Sequence, residues 1–250
     1  MAEMTSDSAE APLTRQRRTS AHTGPTQDRA FRTRRRILEA AAAVFDEQGY
    51  RAAKLTDILE RVGLTKGALY FHFADKEALA RAVLEAQIAE APLPAPQRFK
   101  VQEYVDMGLI YTHLLVTDPL MRAAARLSLE SVPGFNWASP YVEWVQRNTR
   151  LLAAAQTRGE LLVHVDPAQT ARITVGAYSG MSTMVATLAP DPDLDLRREI
   201  LALYRHLLVA VTVPSVLMEL DVSTDRGARV LAEAVQGGVS PGYEDCVTPR

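Results

Sequence analysis

Apolar residues first take up a helical rhythm at Ile37, Leu38, Ala41, Val44 and Phe45, which puts them on one stripe of a helix. Gly49 follows, where a helix-ending glycine is expected. A shorter pattern over 55–62 turns Leu55, Ile58, Leu59 and Val62 inward and closes at Gly63. Thr65 suits the N-cap of a third helix from Lys66 to about Phe73, with Leu69, Phe71 and Phe73 expected to pack inward. Asp75 caps a fourth helix that runs through Leu79, Val83 and Leu84 until the segment APLPAP stops it.

Beyond Pro96 the chain reads helical almost throughout. A capping side chain followed by proline marks three starts, at Asp118-Pro119, Ser139-Pro140 and Asp166-Pro167. Further helices are expected at about 98–116 and 193–212, and a short exposed one near 223–236 that Gly227 weakens. Nothing alternates with period two, so the predicted fold is all-α with no sheet. Four segments follow: a polar, disordered basic arm over 1–30, a helix–turn–helix module over 31–76, a larger helical body over 77–220, and a tail over 221–250.

Charge sharpens this division. Residues 15–76 hold thirteen Lys/Arg and seven Asp/Glu, a net +6, while the rest holds fifteen and twenty-three, a net −8. A basic module built to meet a polyanion thus joins an acidic body with another task. Composition is that of an ordinary globular protein, 47% hydrophobic and 23% charged. The single cysteine, Cys246, excludes a disulfide framework, and no apolar run is long enough to span a bilayer. A soluble cytoplasmic protein is expected.

Helices 55–62 and 66–73, with the turn Gly63-Leu64-Thr65 between them, form a helix–turn–helix whose second helix enters a major groove of double-stranded DNA. Lys66 brings charge to its start, Gly67 and Ala68 leave room for close backbone approach, and Tyr70 reaches a phosphate or a thymine methyl. His72 and Lys76 sit where the chain leaves the groove and are expected to hold phosphate. Arg15, Arg17, Arg18, Arg29, Arg32, Arg34, Arg35 and Arg36 form an arm that either tracks phosphates or a minor groove, or serves as a solubilising tail.

The stretch RRRILEAAAAVFDEQGYRAAKLTDILERVGLTKGALYFHFADKEAL resembles the DNA-binding domain of tetracycline-repressor-type (TetR) regulators over its whole length. That resemblance implies three N-terminal helices for DNA, a linking fourth helix, and a ligand-binding body that forms a homodimer on a pseudo-palindromic operator. It implies DNA-facing roles for Lys54, Thr56 and Thr65 beside the residues above. Two positions depart from the pattern: Lys54 stands where Ser or Thr usually caps the second helix, and Leu59 where a small Ala is common.

DPLMRAAARLSLE and SPYVEWVQRNTRLLAAAQTRGEL further resemble the γ-butyrolactone-type autoregulator receptors of actinomycetes. In that subgroup a Trp after a Pro-Tyr pair lines the ligand cavity, a position that Trp144 matches with Tyr141 one turn before it. The sequence pI of 6.2 agrees with the mildly acidic members that bind ligand. Gln87, Ser128, Ser179 and Thr183 are polar groups set in apolar helical stretches, available to bond a small effector or their own helix backbone. Trp137 falls in a predicted loop, as a lid or an exposed ring. The implied function is a repressor released by a lactone, butenolide or furan signal that controls antibiotic or secondary-metabolite genes; a TetR-type sensor of an antibiotic or drug-like compound is the alternative.

Catalysis is not expected. The five histidines are scattered, no metal-ligand spacing occurs, and neither a phosphate-binding Gly-rich loop nor a nucleophile elbow is present. No metal and no cofactor is anticipated.

Overall fold

The computed structural model describes residues 25–130, 139–188 and 194–236. Trp137, Arg15, Arg17 and Arg18 lie outside them. Eleven helices account for nearly all of the described chain, and the one β feature among these residues is an isolated bridge between Leu161 and Thr212.

The N-terminal module comprises α1 (Pro25–Ala52), α2 (Leu55–Val62) and α3 (Lys66–His72), followed by α4 (Lys76–Glu90). Helix α1 begins at Pro25, so residues 25–30, expected in a disordered arm, are helical. Proline suits that first turn because its missing N–H would have no intrahelical partner there. Gly49 does not end the helix outright: with φ 76° and ψ 171° it breaks it, and one further turn follows. That backbone is strained for any residue with a Cβ, and Glu130 and Arg126 fill the space where one would sit.

The body begins with α5 (Lys100–Thr117), whose N-terminal half is buried on every side, from Val101 to Met107. It is the axis on which α7 (Ser139–Thr157), α9 (Leu196–Val211) and α11 (Arg226–Gln236) pack. Helix α6 (Pro119–Leu129) lies across α1 and α4, α8 (Pro167–Leu188) pairs with α7 and α9, and the short α10 (Pro214–Leu217) closes the end of α9. Caps fall where local chemistry demands them. Asp75, Asp118 and Asp166 accept the backbone N–H of Ala78, Leu120 and Gln169 at 2.7, 2.8 and 2.9 Å.

The C-terminal helix departs from expectation. Instead of lying exposed as a tail, α11 docks along α5 and buries Val230 and Ala234. Gly227 permits this approach, because a Cβ there would stand 2.8 Å from the Leu109 carbonyl oxygen. Beside it Arg226 pairs with the fully buried Asp106 through two bonds of 2.5 and 2.7 Å, and with Asp221 at 3.0 Å. A buried charge of this kind is tolerable only with such pairing. The helical body therefore continues through α11.

Candidate functional site

Two places concentrate chemistry: the outer face of α2–α3 and a cavity inside the body.

On α3, Thr65 caps the helix by accepting the Ala68 N–H at 3.3 Å. Lys54 occupies the N-cap of α2 without a side-chain capping bond, and Thr56 donates to Asp57 at 3.2 Å on the exposed surface. Lys66, Gly67 and Tyr70 all face outward, the Lys66 ammonium lying 5.8 Å from the centre of the Tyr70 ring. Leu69 is fully buried and Phe73 nearly so. Phe71 is 80% exposed, contrary to its expected inward packing. Positions 69, 71 and 73 share a face only on a strand; on a helix Phe71 lies about 200° round from Leu69. Phe73 points inward because it is the C-cap, where the backbone has turned extended.

His72 and Lys76 have other surroundings than expected. Burial and then the nearby Arg34 lower the pKa of the His72 imidazole. The Lys76 ammonium donates to the carbonyls of Tyr50 and Ala53 at 2.7 and 2.8 Å and lies 4.5 Å over the Tyr50 ring. Burial lowers its pKa, partly offset by Glu130. Lys76 thus satisfies the orphan carbonyls at the end of α1, where the sequence suggested a phosphate contact.

The cavity lies among α4, α5, α6, α7, α8 and α9. Tyr111 is its central wall, with Trp144 on one side at a ring separation of 4.7 Å and Tyr178 at 5.4 Å. Gln87, only 1% exposed, donates its amide to the Tyr111 hydroxyl. Its Oε1, the Trp144 indole N–H and the Ser182 hydroxyl are buried with no hydrogen-bond partner among the described residues. Unpaired polar groups of this kind are rare in packed interiors, and these three belong to residues that line one cavity. Ser128 and Ser179 also line it, but each donates to its own helix backbone at 2.8 Å, to Ala124 and Val175. Tyr141 lines the wall as well, its hydroxyl pKa raised by burial against a hydrogen bond with Ser179.

Thr183 is the exception. It is exposed and donates to the Ser179 carbonyl at 2.8 Å, whereas Thr174, Val175, Tyr178, Ser179 and Ser182 make up the cavity face of α8. The sequence also passed over Tyr111, Tyr178, Asn148 and Ser182. Their spacing within each helix is visible, but no local signal says that Gln87 and Tyr111, 24 residues apart, meet.

A clasp joins the two places. Ser128 and Leu129 line the cavity, and the next residue, Glu130, accepts the Tyr50 N–H with both carboxylate oxygens at 2.9 and 3.1 Å. On the same helix Arg122 pairs with Asp46 at 2.8 Å and Arg126 donates to the Asp46 carbonyl at 2.6 Å. Elsewhere, Ile173, Met184 and Leu188 on α8 and Val209 on α9 stand exposed. No group of three or more His, Cys, Asp or Glu among the described residues is arranged to hold a metal, and no described helix is long and apolar enough to cross a membrane.

Comparison with known proteins bears on both places. Residues 37–83 match the family described as bacterial regulatory proteins, tetR family. Over 191 residues, 76% of this chain and 68% of the relative, the sequence is 36% identical to the A-factor receptor protein of Streptomyces griseus. The crystal structure of TylP, a TetR regulator from Streptomyces fradiae, superposes with a TM-score of 0.75 at 42% identity, covering 82% of this chain and 99% of that one. A γ-butyrolactone receptor described as ArpA-like superposes with a TM-score of 0.62 at 28% identity, covering 83% and 97%.

Proposed function

This chain belongs to the TetR family of bacterial regulatory proteins, and we propose that it is a repressor released from its operator by a γ-butyrolactone-like effector. TetR regulators bind operator DNA, take small-molecule ligands and form dimers. The observation that carries the reading is the cavity itself: an aromatic stack with three buried, unpartnered polar groups, one residue away from a clasp on the DNA-binding module.

In this reading Lys54, Thr56, Thr65, Lys66, Gly67, Ala68 and Tyr70 face the operator, and Phe71 joins them as an apolar contact. Most such groups position the protein, while the apolar edges suit a thymine methyl. The exposed apolar faces of α8 and α9 pair with a second copy. Two recognition helices then meet successive major grooves about 34–36 Å apart.

The effector sits against Tyr111 and Trp144, offers an acceptor to the indole N–H, and gives Gln87 Oε1 and Ser182 their missing partners. Tyr141, Ser128 and Ser179 line the same space. Filling it moves α6 and α4, and the shift reaches the DNA module through Glu130 and Lys76. Release requires that the effector bind the non-DNA state more tightly, through contacts that exist in that state alone. The genes under control are those of antibiotic or secondary-metabolite production.

The test is a mobility shift on the promoter of this protein's own gene, titrated with producer-culture extract and with synthetic γ-butyrolactones. A complex that lactones dissolve supports the reading; one that neither extract nor lactone disturbs refutes it.

A further inference from the structure

A cleft of about 260 Å3 opens between α5, α9 and the start of α11, and no residue lines both it and the cavity described above. Thr112 stands between the two. It lines the cleft, while its buried hydroxyl bonds that of Tyr178, on the cavity wall, at 2.8 Å. The floor is apolar, made by the buried Leu109 and Leu201, and Gly227 adds no side chain to it.

Two nitrogen-bearing side chains converge on this space, His113 from α5 and Arg197 from α9. Both are half-buried, and neither the guanidinium nor the imidazole has a hydrogen-bond or ion-pair partner among the described residues. They lie close enough that Arg197, after burial, lowers the His113 pKa. No residue lining the cleft is an Asp or Glu, although the chain outside residues 15–76 is net −8. Two carboxylates near in sequence are engaged elsewhere: Asp195 accepts the Arg197 backbone N–H at 3.1 Å, and Asp225 accepts from Arg229 at 2.8 Å. A protonated imidazole beside a guanidinium is disfavoured, and an anion between them removes that penalty. The planar guanidinium presents paired N–H donors to a carboxylate or phosphate, and the imidazole adds one more.

We infer that this cleft is a second ligand site, which takes a small organic anion. Arg197 and His113 hold its carboxylate or phosphate group, and its apolar body lies against Leu109 and Leu201. Thr224 and Ala228, both exposed, form the mouth. A space of this size suits a single-ring or short-chain acid rather than a drug-sized molecule. The site stands whatever fills the cavity of Tyr111 and Trp144.

Calorimetry on the full-length protein tests this with benzoate, phenyl phosphate, inorganic phosphate and the neutral benzamide. Benzoate or phenyl phosphate should saturate one site per chain, and the tighter of the two identifies the head group. Benzamide lacks the charge and inorganic phosphate the apolar body, so each should bind at least about tenfold more weakly. Arg197→Gln removes the guanidinium and should weaken binding at least about tenfold. Ala228→Trp plugs the mouth with Arg197 intact and should abolish binding. Melting curves check that both variants fold as wild type.

No saturable binding of either organic anion overturns the inference. So does binding that both variants retain, or that benzamide or inorganic phosphate matches. Residues 189–193, which include Asp191 and Asp193, lie outside the described residues. If benzoate binds only to the double variant Asp191→Asn, Asp193→Asn, the chain's own carboxylates occupy the cleft and the inference fails. None of these outcomes involves operator or lactone, so the repressor reading is unaffected by them.

Discussion

Glu130 grips the backbone N–H of Tyr50 with both oxygens of its carboxylate, across 80 residues of sequence. The Tyr50 carbonyl is held in turn by Lys76. One peptide segment just past the Gly49 break is therefore clamped from two sides: by α6, which lines the cavity, and by the first residue of α4, which also carries Gln87.

Replacing Glu130 with Ala leaves the Tyr50 N–H without its acceptor. Denaturant unfolding should show a loss of about 1–3 kcal/mol. Effector affinity should stay within twofold of wild type, since Glu130 does not line the cavity, while more effector is needed to release the operator. Unchanged release would assign the coupling to α4 alone.

Trp144→Phe keeps most of the aromatic face and removes the N–H. In the ligand-free protein that N–H has no partner, so the polar part of the change relieves a buried defect rather than creating one. The expected result is a melting temperature at or slightly above wild type, normal operator affinity, and effector binding weaker by about tenfold. Calorimetry and a mobility shift on the same preparation separate the three quantities.

Phe71 and Leu69 sit two residues apart on α3 and should fail in opposite ways. Phe71→Ala removes an exposed ring, so stability should change by less than about 0.5 kcal/mol while operator affinity drops. Leu69→Ala opens a cavity beneath the helix and should lower stability by about 2–5 kcal/mol. An F71A protein with normal operator affinity would remove Phe71 from the DNA face.

Gly227→Ala pits helix propensity against packing. In an exposed helix the change should stabilise by nearly 1 kcal/mol. Here the new methyl meets the rigid Leu109 carbonyl, so a loss of about 1–3 kcal/mol is expected instead. The sign of the shift in the urea midpoint decides between a docked and a free α11.

Asp221 sets a pH dependence at the same junction. Burial opposes its charge, yet hydrogen bonds from Ser223, Arg229 and Arg226 outweigh that burial and hold the carboxyl far below the usual range. A carboxyl with a depressed folded-state pKa contributes stability above its unfolded pKa of about 4 and loses it as pH falls toward the folded value. Wild type should therefore exceed Asp221→Asn at pH 7, keep that margin down to about pH 4, and lose it progressively below. Urea midpoints of the two proteins at pH 7, 4 and 3 check this. A margin that instead grew toward acid would reverse the argument.

What the sequence determined by itself was local. Stripes at helical spacing, the Asp–Pro starts and the Thr65 cap depend on neighbours within one or two turns, and the all-helical architecture and helix–turn–helix follow from them. Tertiary structure decided whatever depends on the element lying opposite. Lys76 read as a free cation until the end of α1 gave it two carbonyls. Gly227 read as a flaw until α5 came within reach of it. Ser182 and Thr183 differ little as letters, yet one faces the cavity and its neighbour faces out. Gln87 and Tyr111 meet because α4 and α5 cross beside the cavity. A side chain's partner is set by packing between helices far apart in the chain, and periodicity within one helix carries no information about it.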